Sequence, residues 1–170
     1  MNNFPQPPID SMAGLASFKF VEVEGVSNIP RSVNHIISTA ISLVVNYAWF
    51  DGYSAIDALE YSEPGKQSEH GSFTAAQLLG FVAYSPEILQ LFVKMDSRRF
   101  VLHLIDNDGY ERIAGTIEQP LTFSCDFETQ TVRGVKGYKY SFTGLLETRA
   151  PIYLLPTGSS SSTSGGGSSA

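Results

Sequence analysis

Along most of this chain hydrophobic side chains recur at every second position, which is the period of a half-buried strand rather than of a helix. Phe18, Phe20, Glu22 and Glu24 alternate with Lys19, Val21 and Val23, predicting a first strand that stops at Gly25. The next stretch fits two periods. Val33, Ile36, Ile37, Ala40, Ile41 and Val44 make a helical stripe, whereas Ile37, Thr39, Ile41, Leu43, Val45, Tyr47 and Trp49 alternate strictly. Its β-branched and aromatic content favours the strand. Asp51 and Gly52 then supply a turn, Ile56 to Tyr61 a further strand, and Glu63 to Gly71 a polar loop. Phe73 to Tyr84 returns to extended chain, apolar on both sides.

The period changes after Tyr84. Ser85 is placed to cap free amides, Pro86 suits the first helical position, and Glu87 lies near the positive end of the dipole. Ile88, Leu91, Phe92 and Met95 follow as one stripe, widened by Leu89, predicting a helix that lies on a sheet. Phe100 to Ile105 is again a strand. Asp106, Asn107, Asp108 and Gly109 then turn the chain into a returning strand from Tyr110 to Ala114. Leu121 to Phe127 pairs with Gly137 to Leu145, presenting Phe123, Cys125 and Phe127 against Tyr138, Tyr140 and Phe142, and Ile152 to Leu155 closes the series. About eight short strands and one helix predict a mainly β fold (all-β or α+β), an antiparallel β-sandwich or barrel with one flanking α-helix.

The ends differ from this middle. Residues 1–16 mix prolines with small polar residues and read as an extended arm, residues 17–157 as a single β-rich domain, and residues 158–170 as a flexible Ser/Gly tail with nothing to bury. The 170 residues, 42% of them hydrophobic, suffice for one core. The longest apolar stretch, Ile36 to Phe50, is interrupted by Ser38, Thr39, Ser42 and Asn46, so no spanning helix is expected. The N-terminus has neither the basic start nor the apolar run of a secretory signal, which predicts synthesis in and retention by the cytoplasm. A net charge of −6 is the wrong sign for gripping phosphates, and a single cysteine, Cys125, precludes an intrachain disulfide framework.

Candidate chemistry is sparse. Neither a phosphate-binding glycine loop nor a GxSxG elbow occurs. Asp106 and Asp108 invite a calcium reading, but Gly109 arrives two residues too early for an EF-hand, and a hairpin turn accounts for all four residues. His35, His70 and His103 are isolated, and His103 is expected to be a hydrogen-bonded, sheet-facing residue. Cys125, between Phe123 and Phe127, is expected to act as a small buried hydrophobe. Glu60, Glu63 and Glu69 are read as solvated loop carboxylates. No catalytic, cofactor or metal residue is assigned, and no enzymatic activity is expected.

From the helix onward the chain reads SPEILQLFVKMDSRRFVLHLIDNDGYERIAGTIEQPLTFSCDFETQTVRGVKGYKYSFTG and then PIYLL. In this order of helix, D-N-x-G turn, "PLTFSCDFET" and "GYKYSFTG" strands it resembles small virion or tail-module proteins of phages and prophages of gut Bacteroidetes, over roughly Ser72 to Leu155. The resemblance implies a structural role with a phage tail-tube-like plan: a tail tube subunit, made in the host cytoplasm and located in the virion. Its implied partners are itself, as a homo-oligomeric and stacked ring, and other virion proteins. DNA would pass without specific binding, repelled by an acidic lumen, and no membrane would be involved. The proline-rich arm and the Glu63 to Gly71 loop are the expected contacts. Two alternatives stand beside this reading: another virion part, such as a tail terminator, head-tail connector or baseplate component, and a small β-barrel module binding a ligand or glycan through Trp49, Tyr47 and Tyr53.

Overall fold

A computed structural model of the protein describes residues 14–55, 58–69, 71–128 and 136–155. Most of the predicted arm and all of the Ser/Gly tail lie outside these residues, as do His70 and the start of the strand expected from Ile56.

The fold is mainly β, with one α-helix among the described residues. Strand β1 (Leu15–Glu22) runs antiparallel to β9 (Arg99–Asp106), pairing Phe18 with Leu104 and Phe20 with Leu102. On its other edge β9 is shared. Its C-terminal half pairs with β10 (Glu111–Ala114), and its first residues pair with β11 (Leu121–Glu128). The sheet then continues through β12 (Gly137–Leu146) and the long β8 (Gly71–Ala83). The outer edge of β8 carries β6 (Glu60–Ser62) and β7 (Gly65–Ser68). The remaining pieces are short. β13 (Ile152–Tyr153) lies beside β10 and parallel to β3 (Ile36–Ile37), while β2 (Val26–Asn28) and β4 (Ser42–Leu43) form a separate ribbon, and β5 (Phe50–Asp51) adds to β1.

The sheet curls into a half-barrel because alternate residues of its long strands are large and apolar on one side. Phe18, Leu78, Phe100, Leu102, Phe123, Tyr140 and Phe142 all point into this core, and full burial of each such side chain contributes about 1.5–3 kcal/mol. The rings meet mostly edge to face, with Phe123 and Phe142 at 5.0 Å and Phe92 and Phe123 at 5.1 Å between centroids. Phe92 arrives from helix α1 (Pro86–Met95), which buries Phe92 and Met95 and begins, as the sequence predicts, with the Ser85 hydroxyl accepting from the Ile88 amide at 3.2 Å. A second, smaller core of Val21, Val26, Ile37, Val101, Ile113 and Tyr153 lies on the opposite face of β1 and β9. Those two strands are therefore buried on both sides.

Two expectations need correction. The alternating run from Ile37 to Trp49 is not one strand: it contributes only β3 and β4, and Val45 is 82% exposed. Asn34, His35 and Asn46 adopt positive φ, and the Val44 amide turns back to the Gly25 carbonyl, so the run is broken into bends before it can pair along its length. The stretch from Glu63 to Gly71, expected as a loop, contains β7, paired residue for residue with the start of β8. Polar residues suffice there because β7 is an edge, with β8 its one paired strand among the described residues.

The open side of the half-barrel is crossed by residues 50–55. The Gly52 amide donates to the Phe18 carbonyl of β1, and the Ala55 amide to the Phe81 carbonyl of β8. Ser54 Oγ accepts from the Phe81 amide at 3.1 Å, and the Tyr140 hydroxyl donates to the Tyr53 carbonyl at 2.8 Å. The Tyr140 ring reaches across β8 because residue 80 is glycine; a Cβ there would occupy the position of the ring.

Candidate functional site

Part of the outer edge of β11 has no partner strand among the described residues. Its inner edge is paired with β12 from Thr122 to Glu128, but its outer edge meets β9 only at Leu121 and Thr122, extended by the exchange between Phe123 and residues 97 and 98. Because the Phe123 amide and carbonyl point outward, so by alternation do those of Cys125 and Phe127. No strand among the described residues completes this part of the margin. Helix α1 runs beside it: Tyr84, just before the helix, packs on Phe127 at 5.8 Å, and Ser97, just after it, donates to Phe123. Tyr84 also stacks on Tyr138 and carries the Lys136 ammonium 4.9 Å above its ring.

The side chains on this margin divide by face. Phe127 is half exposed at 49%, while Ser124 and Asp126 point to solvent. Cys125 is half-buried against the core, close to its expected place, and burial followed by the nearby carboxylates of Asp96 and Asp126 pushes its thiol pKa up. A thiol held neutral in this way packs as a small hydrophobe.

A polar cleft of about 430 Å³ opens where Leu15, Tyr61, Glu63, Asp106, Tyr110 and Arg112 converge. Glu63 was expected to be a solvated loop carboxylate and is instead a structural clamp. One of its oxygens accepts from the Tyr61 hydroxyl at 2.6 Å and from the Ala150 amide at 2.8 Å. Burial, reinforced by the Glu63 carboxylate, raises the Tyr61 pKa well above the usual phenol range. The sequence hint was the neighbouring Pro64, which fixes the local backbone, but nothing in the sequence connects Glu63 to Ala150.

The other residues singled out from sequence are dispersed. His103 lies on the second-core face of β9, its Nε2 2.6 Å from Glu111 Oε2, with its ring between Trp49 and Tyr153. Trp49 is thus half-buried against His103, whereas Tyr53 is 70% exposed on the strap. The aromatic trio does not form one platform. Asp106 Oδ1 accepts from the Asp108 and Tyr110 amides while Gly109 takes positive φ, so the acidic turn is a hairpin closure. Among the described residues no three histidine, cysteine or acidic side chains gather as metal ligands, and no helix is long and apolar enough to cross a membrane.

The comparisons bear on none of these features. No protein-family model, curated protein or solved structure matches the chain.

Proposed function

We propose that this protein is a structural subunit of a phage virion that works by joining copies of itself, with the tail tube as its place. The observation that carries the reading is the uncompleted outer edge of β11 at Cys125 and Phe127. A strand from a neighbouring copy would satisfy these amides and carbonyls, each such bond contributing about 0.5–1.5 kcal/mol and together turning an aggregation liability into an interface. The exposed apolar bend at Val44, Val45 and Tyr47 and the edge strand β7 add further contact surface. The excess of acidic residues suits a lumen along which DNA slides without adhering.

Sedimentation velocity and negative-stain imaging over a range of concentrations test the reading. Rings or tubes are expected, and a strict monomer at every concentration and salt would overturn it. Cys125→Pro removes an outward amide without touching the β12 ladder. It should leave the circular dichroism spectrum unchanged and raise the concentration for half-assembly about ten-fold, the equivalent of one or two backbone bonds.

A further inference from the structure

The main sheet runs from β10 through β9, β11, β12 and β8 to β6, and its curl brings the two ends of that path to one cleft, the polar cavity of about 430 Å³. Residues of β6 line it on one side and residues of β9 and β10 on the other. Its base is apolar, formed by Leu104 of the core and the half-buried Leu15 and Leu59 packed against that core. Because its lining comes mostly from paired strands, the cleft is formed before anything enters it.

Opposite charges share this cleft without pairing. Arg112 of β10 is half-buried, yet its guanidinium makes no ion pair or side-chain hydrogen bond among the described residues, whereas Arg98 pairs with Glu22 at 2.7 Å and Arg99 with Glu24 at 3.7 Å. Glu60, Glu63 and Asp106 line the same cleft. One oxygen of Glu63 is taken by the Tyr61 hydroxyl and the Ala150 amide, and Oδ1 of Asp106 by the Asp108 and Tyr110 amides. Their second oxygens have no hydrogen bond among the described residues, so the cleft keeps a donor and several acceptors for something that reaches both. Beside them stands Tyr110, 56% exposed, its amide held by Asp106 at 2.8 Å.

We propose that this cleft binds a neutral saccharide through neighbouring hydroxyls of one sugar ring. A hydroxyl both donates and accepts, so adjacent hydroxyls satisfy the free carboxylate oxygens and the Arg112 guanidinium together, without adding a charge. The C–H face of the ring packs on Tyr110, an aromatic surface with one apolar side and one wet side. An anion meets three carboxylates against one guanidinium, and a simple cation leaves Arg112 without a partner. A cleft of about 430 Å³ is within the size of small-molecule sites. It shares no residue with the trio of Tyr47, Trp49 and Tyr53, and the inference goes beyond the self-assembly reading and does not rest on it.

Saturation-transfer difference NMR on the full chain tests the proposal, because it reads the ligand's protons and serves a monomer and an assembly alike. The probes are glucose, galactose, mannose and N-acetylglucosamine, with glycine as a zwitterion and acetate as an anion. At least one sugar should show saturable transfer with a dissociation constant on the order of 1 mM. Tyr110→Ala should weaken it about five-fold and Arg112→Gln about ten-fold, each with an unchanged thermal midpoint. Tyr53→Ala, an exposed ring outside the cleft, should leave it as it was. Should Arg112→Gln lower the midpoint, the exposed Tyr110 still decides the matter. No saturable transfer to any of the four sugars would overturn the proposal, as would sugar binding that survives Tyr110→Ala or is lost in Tyr53→Ala. Binding of glycine or acetate in place of the sugars would overturn it too, assigning the cleft to a charged ligand.

Discussion

Glu63 and Gly80 each help to hold together parts of this chain that lie far apart in sequence. The shared Glu63 oxygen ties the start of the β6–β7 turn to Ala150, 87 residues away, and also holds the Tyr61 hydroxyl. Glu63→Ala strands a half-buried hydroxyl and an amide together, so a loss of about 1–3 kcal/mol is expected, read as a lower urea midpoint with an unchanged slope. Glu63→Gln keeps an acceptor oxygen and should recover part of that loss. Gly80 is the second position. In Gly80→Ala the new Cβ displaces the Tyr140 ring and with it the hydroxyl bond to the Tyr53 carbonyl, which should cost about 1–3 kcal/mol and loosen the strap, detectable as faster amide exchange at Ala55.

Among the elements, helix α1 depends most visibly on its first turn. Ser85→Ala removes the acceptor of the Ile88 amide and should destabilise the protein by about 1 kcal/mol in chemical unfolding. The Glu87 carboxylate is held below its ordinary pKa, first by the backbone amide of Glu87 and then by the Ser85 hydroxyl. A carboxyl whose folded pKa is depressed adds stability above its unfolded pKa and loses it as pH falls through the folded value. The difference in thermal midpoint between wild type and Glu87→Gln should therefore be present at neutral pH and disappear in acid, below the ordinary carboxylate range. A difference that persists at low pH would show that Glu87 acts through packing instead. The helix also leaves Val93 68% exposed. Its apolar character exceeds what the half-barrel core covers, and the helix lies beside the margin for which the described residues supply no partner strand.

For the whole molecule, the expected behaviour follows from a sheet that is closed along one part of its rim and open along another. The strap of residues 50–55 seals the gap between β1 and β8, while no strand among the described residues completes the far half of β11. If copies complete it, folding and association are linked and the thermal midpoint should rise with protein concentration. Cys125→Pro should flatten that dependence, and differential scanning calorimetry over a hundred-fold range of concentration would measure both. An adjacent gene encoding a long helical, tape-measure-like protein would favour the tail tube over a terminator, connector or baseplate part.

Much of this architecture was legible without coordinates wherever a local rule sufficed. Period-two alternation located β8, β9, β11 and β12, the Ser85-Pro86-Glu87 sequence located the helix start, and Asp106 to Gly109 located a turn, because each depends on side chains only a few residues apart. Alternation misled between Ile37 and Trp49, where positive-φ residues and a return to Gly25 override propensity, and polarity misled at β7, where an edge strand needs no apolar face. Which strand ends up as a margin depends on contacts between residues 20 to more than 100 positions apart. Alternation is the same for an edge strand and a central one, so it carries no record of the neighbour. The strap of residues 50–55 and the Glu63 clamp came into being only when the sheet curled.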